Sequence, residues 1–217
     1  TAFPTLYGKP YADYPAAMTI LIHLSSLVFG KIGPFTAGLA SAVAASLTLL
    51  LTYLIGRERS EDTGFFGAML VLLCYEFVTD ARAPSPDIFV ALAATAAFYF
   101  LWQGLRKGRK VFLLGLPLCL IFGFAFRGPI GLVIPAAVIF VFHLIERRHV
   151  AALAWGFLSF LVLGACVYAM YKAAEAQGGQ ELAKAVFESQ VGGRITKQKP
   201  IFYYFVNGLG NYALAYP

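Results

Sequence analysis

The chain has 217 residues, of which 59% are hydrophobic and only 13% charged, with a net charge of +6. That balance excludes an ordinary soluble domain, where about a quarter of the residues are charged. The positive charge does not point to nucleic acid either, because the basic residues lie in short loops between apolar runs, where they suit lipid headgroups and membrane topology. The chain starts with Thr1 rather than Met and stops at Pro217 inside an apolar run, and it reads as a segment of a longer protein.

The first element is the loop Gly8-Lys9-Pro10-Tyr11-Ala12-Asp13-Tyr14-Pro15, which its two prolines stiffen. Asp13 is either a solvated loop carboxylate or a polar group held over a membrane cavity. Residues 16–29 form an apolar stretch too short to cross a bilayer, with Thr19, His23 and Ser26 in a narrow polar stripe. It reads as a helix lying in the interface. If it lies flat, Asp13 and Asp87 share a face; if it crosses, they are on opposite sides.

Candidate crossings follow at 34–55, 64–78, 88–105, 111–126, 131–145 and 151–171, and another begins near Ile201. In hydrocarbon, helices satisfy their own backbone, so the expected fold is all-α. It is a polytopic transmembrane bundle of about six to seven spans with interfacial juxtamembrane helices. Residues 1–33 would be the end of an external loop with its interfacial helix. Residues 34–217 would be the bundle, including an external amphipathic segment over 172–200, in which 181–190 is helical with an apolar face of Leu182, Val186 and Phe187. Arg57 and Arg59, then Arg106, Lys107, Arg109 and Lys110, then Arg147 and Arg148 fall in alternate loops. The positive-inside rule makes that side cytoplasmic.

The opposite side collects the remaining polar residues. Asp87 opens a membrane helix after Ala83-Pro84-Ser85-Pro86. It either favours the helix N-terminus electrostatically or binds a hydroxyl, amine or cation at the mouth of the bundle. Arg82 can partner it or hold a phosphate. Arg127 lies between two spans, where it can snorkel to headgroups or clamp a phosphate with its planar fork. Glu76 can pair with Arg82 or Arg127. Val191-Gly192-Gly193-Arg194, with Lys197 and Lys199, suits a phosphate headgroup or simple attraction to anionic lipid. Cys74, Cys119 and Cys166 sit in apolar spans and read as buried thiols, and no two His or Cys have metal-ligand spacing. A divalent ion on two carboxylates stays open.

Five stretches, taken in order, resemble the polyprenyl-phosphate-sugar-dependent glycosyltransferases of the GT-C class, near the aminoarabinose transferases and protein O-mannosyltransferases. They are the Tyr7 to Pro15 loop, Leu51-Thr52-Tyr53-Leu54-Ile55-Gly56-Arg57, Ala81 to Asp87, Phe126-Arg127-Gly128-Pro129-Ile130-Gly131-Leu132, and Phe187 to Tyr204. The resemblance implies a lipid-phosphate-linked sugar donor and a lipid, glycan or protein acceptor meeting on the extracytoplasmic face, with inversion at the sugar carbon. It implies catalytic roles for Asp13 and Asp87, a main catalytic Asp upstream of Thr1, and a donor-phosphate role for Arg194 beside Arg82 and Arg127. Tyr14, Lys197 and Tyr203 would line the acceptor or donor cleft. Relatives often carry Lys where this chain has Tyr14 and Arg127. Other readings are a transporter or flippase, which predicts ionisable residues along a pathway, or a non-catalytic assembly subunit.

Overall fold

The computed structural model describes residues 3–6, 9–11 and 15–192. Asp13, Tyr14, Arg194, Lys197 and Tyr203 lie outside these residues. Among the described residues the regular structure is helical, apart from a two-residue antiparallel ladder, β1 (Thr5–Leu6) against β2 (Lys9–Pro10).

Helix α1 (Ala17–Phe29) ends on Gly30, whose φ of 70° reverses the chain. Helix α2 (Pro34–Arg57) starts on a proline, which needs no N–H partner there. Thr36 Oγ1 accepts the Gly33 N–H at 2.9 Å, which fixes that start. Helix α3 (Glu61–Leu72) is capped by Ser60, whose hydroxyl accepts the Thr63 N–H at 3.1 Å. The chain then bends by 71° into α4 (Tyr75–Arg82), so the single crossing expected over 64–78 is a broken one. Cys74 takes the extended conformation that breaks it.

Helix α5 (Asp87–Leu101) runs on through a π-helical turn at Trp102–Arg106. Helix α6 (Gly115–Arg127) and helix α7 (Pro129–Ile145) are joined by Gly128 alone, whose φ of 65° and ψ of −148° suit only glycine. Helix α8 (His149–Phe187) is interrupted at Gly178 and Gly179, the latter with φ 72° and ψ −169°. The crossing expected at 151–171 thus continues to the glycine pair. Beyond the kink, Leu182, Ala183 and Val186 are buried against Phe3 and the bundle core. The amphipathic face read at 181–190 therefore packs on protein, while Phe187 stays exposed.

Four helical stretches among the described residues are long and apolar enough to cross a membrane: Pro34–Arg57, Asp87–Arg106, Lys110–Arg127 and His149–Gln190. The bent pair Glu61–Leu72 and Tyr75–Arg82 makes a fifth if counted as one span, and Pro129–Ile145 and Ala17–Phe29 are shorter apolar helices. Large side chains such as Val150, Phe160 and Leu153 stand exposed on these helices. Apolar surface on this scale fits lipid as the solvent and not water.

Ion pairs fix the ends of the bundle. Lys107 Nζ meets Glu58 at 2.5 Å, and Arg106 pairs with Glu146. The loops after α2, α5 and α7 therefore meet at one end, called here the Arg106 end. At the other end, Arg127 and Asp87 bring the finish of α6 to the start of α5. Both ends of α1 lie at this Arg127 end. Ala17, Met18 and Leu21 pack on the cluster containing Ile88 and Phe126, and Ser25 Oγ donates to the Thr36 carbonyl of α2 at 2.6 Å.

Candidate functional site at the Arg127 end

The site begins with a tightly held turn. The backbone N–H of Ser85 donates to Ser41 Oγ on α2 at 3.2 Å, and Asp87 N–H donates to Ser85 Oγ at 3.3 Å. A methyl group on Gly38 would stand 2.8 Å from the Arg82 carbonyl oxygen, so only glycine lets α4 come so close to α2. These contacts set the phase of α5, and with it the direction of Asp87.

Arg127 Nε lies 3.0 Å from Asp87 Oδ1. Two residues into α5, Phe89 stacks face to face on Phe126, with ring centroids 3.9 Å apart and planes within 1°. Phe122 closes against Phe126 at 4.9 Å. Such aromatic pairs contribute about 0.5–1.5 kcal/mol beyond their buried area. They bind the last turn of α6 to the first turn of α5, so the carboxylate and the guanidinium are positioned by buried rings directly beneath them. The pair itself is accessible, with Asp87 52% and Arg127 24% exposed. As an ion pair this exposed it contributes at most ~1 kcal/mol to stability.

A cavity of 430 Å³ lies beside the pair, lined by Tyr11, Pro15, Met18, Ile22, Pro84, Pro86 and Phe126 among others. Its walls come from the N-terminal segment, α1, the 84–86 turn and α6. The N-terminal segment is held by α8, from just before its glycine kink. Gln177 accepts the Phe3 N–H at 2.9 Å and donates to the Phe3 carbonyl at 3.0 Å. The chain beyond the Gly178–Gly179 kink then returns to Gly128, where Gln190 is 1% exposed and its Oε1 lies 2.6 Å from where a Cβ on Gly128 would stand.

Two of the sequence-predicted residues thus meet, Asp87 and Arg127. Arg82 is exposed at the end of α4 and makes no ion pair among the described residues, so Asp87 takes Arg127 and not Arg82 as its partner. Glu76 pairs with neither arginine; it sits in the first turn of α4, beyond the bend that separates α3 from α4. Only Cys119 of the three cysteines is buried, while Cys74 and Cys166 are half-buried. Among the described residues, no group of three or more His, Cys, Asp or Glu comes together to hold a metal. Sequence reasoning missed Ser41, Gln177 and Gln190. Gln177 carries one local signal, its place immediately before a glycine pair that ends a helix.

An all-helical membrane bundle with a charged pair at one mouth is the class defined here, and comparison with known proteins makes it more definite. The family described as dolichyl-phosphate-mannose-protein mannosyltransferase matches residues 13–171. The chain belongs to that family of membrane glycosyltransferases.

Individual relatives narrow the likeness. An undecaprenyl phosphate-alpha-4-amino-4-deoxy-L-arabinose arabinosyl transferase of Pseudomonas paraeruginosa is 30% identical over 165 residues, covering 73% of this chain and 30% of that protein. An uncharacterized protein of Aquifex aeolicus is 28% identical over 147 residues, covering 66% of this chain and 29% of that protein. The crystal structure of ArnT from Cupriavidus metallidurans shares the fold, with a TM-score of 0.70 over 97% of this chain and 40% of that one, at 15% identity. The chain thus spans about 30% of the length of the curated relatives it matches.

Proposed function

We propose that this chain is part of an integral membrane glycosyltransferase that moves a sugar from a polyprenyl-phosphate donor to a lipid, glycan or protein acceptor. The reaction takes place on the extracytoplasmic face of a bacterial inner membrane, which is the Arg127 end. The observation that carries this reading is the Asp87–Arg127 pair, set beside a 430 Å³ apolar cavity at the mouth of a bundle of this family. A lipid phosphate needs both a cation and apolar walls, and this end offers both. The flat setting of α1, with Asp13 in the loop before it, supports placing Asp13 and Asp87 in one compartment.

The leaving group is a lipid phosphate, so the main demand is to stabilise its developing negative charge. Arg127, with Arg194 and Arg82, supplies that charge in a partly dried cleft, where fixed cations act strongly. A guanidinium has five donors in a planar fork, so Arg127 can hold the Asp87 carboxylate and still address a phosphate. Asp87 and Asp13 orient or deprotonate the acceptor nucleophile, and attack opposite the leaving phosphate inverts the sugar carbon. Tyr14, Lys197 and Tyr203 line the cleft. The ion pairs of the described bundle gather toward its ends, which favours an interfacial enzyme over a transport pathway.

The test is sugar transfer by the full-length enzyme in detergent. Arg127→Ala and Arg194→Ala should each lower turnover by about 10²-fold or more, the scale of losing one transition-state donor. Arg127→Lys should retain part of the rate. Wild-type turnover in both alanine variants would remove these arginines from the mechanism.

A further inference from the structure

The Arg106 end carries a feature that sugar transfer does not use. The cations there are not equally committed. Lys107 is held by Glu58, Arg106 by Glu146 and by the face of Trp102 at 5.4 Å, and Arg57 lies over Tyr53 at 5.8 Å. Arg147 and Arg148 differ. They follow Glu146 directly, yet that carboxylate is taken by Arg106, and among the described residues neither arginine makes an ion pair.

These two side chains and His149 line an open hollow of 610 Å³ formed by the elbow before α8 and the first turns of α8 itself. The remaining lining is apolar: Val150, Ala151 and Ala154. Exposed apolar side chains continue away from the cavity along α8, with Val150 84%, Leu153 69% and Phe157 65% exposed. A pair of guanidinium groups above a bare apolar helix face matches one kind of ligand, an anionic phosphate whose own body is apolar. Arginine suits a phosphate better than lysine because its fork is bidentate. Basic residues clustered at the cytoplasmic end of a membrane helix attract anionic headgroups, by about 1 kcal/mol for each Lys or Arg near the surface.

We propose that the Arg147–Arg148–His149 elbow binds the phosphate of an anionic phospholipid, whose acyl chains lie along the exposed face of α8. This site is at the opposite end of the bundle from Asp87 and Arg127, so it is independent of the proposed donor site and survives or fails separately from it.

The experiment compares the full-length protein with an Arg147→Asn, Arg148→Gln variant, each reconstituted in nanodiscs of phosphatidylglycerol mixed with phosphatidylcholine. Asn is chosen at 147 because that residue has a φ of 54°, which Asn tolerates. Retention of phosphatidylglycerol after exchange into neutral detergent is read by native mass spectrometry. Removing the two arginines should weaken retention about thirty-fold, from about five-fold for each cation near a membrane surface. Arg59→Gln, at the same end but not lining the cavity, should leave retention unchanged, and Arg147→Lys with Arg148→Lys should keep most of it. Inorganic phosphate at millimolar concentration should not displace the lipid. Unchanged retention in the Arg147→Asn, Arg148→Gln variant, equal loss in Arg59→Gln, or displacement by inorganic phosphate would each overturn the proposal.

Discussion

The contact between α6 and α7 gives the sharpest stability prediction. A Cβ added at Gly123 would lie 2.1 Å from the Gly131 carbonyl oxygen, and one at Gly131 would lie 2.0 Å from the Gly123 carbonyl oxygen. Ordinary contact begins near 3.4 Å, so Gly123→Ala must open the pair by about 1.3 Å, the difference between 3.4 and 2.1 Å. The atom it meets is backbone on a packed helix and cannot rotate away. The helices are also tied at Gly128, one turn from the contact, so they cannot part freely there. Close helix approach at small residues is a principal source of packing energy in membranes. Overpacking costs typically 1–3 kcal/mol, and a backbone clash puts this variant at the upper end, about 3 kcal/mol. The assay is reversible unfolding in mixed micelles, titrated with denaturing detergent and followed by circular dichroism. Gly164→Ala is the control, because nothing lies within 4 Å of its added Cβ, and it should be neutral or slightly stabilising. A Gly123→Ala variant within about 0.5 kcal/mol of that control would refute the reasoning.

Gly128→Ala should also destabilise, by about 1–3 kcal/mol, because its backbone conformation suits only glycine and its Cβ would meet Gln190. Since Gly128 follows Arg127, the same variant should lower transfer in the full-length enzyme more than Gly123→Ala lowers it, which parallel stability and turnover measurements would check. A pH effect belongs to the other end. The Lys107 ammonium, hydrogen-bonded to Glu58, holds that carboxyl below the ordinary carboxylate range. A depressed folded value makes its contribution complete above the unfolded value, near pH 4, and lost as pH falls through the folded one. The stability difference between wild type and Glu58→Gln, measured by unfolding, should be flat from pH 7 to about pH 5 and shrink only below the unfolded value.

Much of the bundle is legible in the chain because lipid makes period and length decisive. The runs at 34–55, 88–105 and 111–126 correspond to helices Pro34–Arg57, Asp87–Arg106 and Lys110–Arg127. The alternation of basic loops is matched by the pairs that join Glu58 to Lys107 and Arg106 to Glu146. The break at Cys74 was not legible, since Val71, Leu72 and Leu73 run into it like a helix interior and neither Gly nor Pro stands beside it. Asp87 stood out because a carboxylate at the start of a membrane helix demands a reason. Its partner did not stand out, because Arg82 is nearer in sequence, and only the stacking of Phe89 on Phe126 brings Arg127 closer in space. The Phe3–Gln177 clamp joins residues 174 apart in sequence, and no local pattern could announce it.

A photoreactive polyprenyl phosphate tests the central claim most directly. The full-length protein in membranes is irradiated with an analogue carrying a diazirine beside its phosphate, and the labelled peptides are mapped by mass spectrometry. Adducts should fall within residues 82–88 and 124–130 and be lost when unlabelled donor is added in excess. Adducts confined to residues 105–110 or 146–150, with the Arg127 end unlabelled, would contradict that claim.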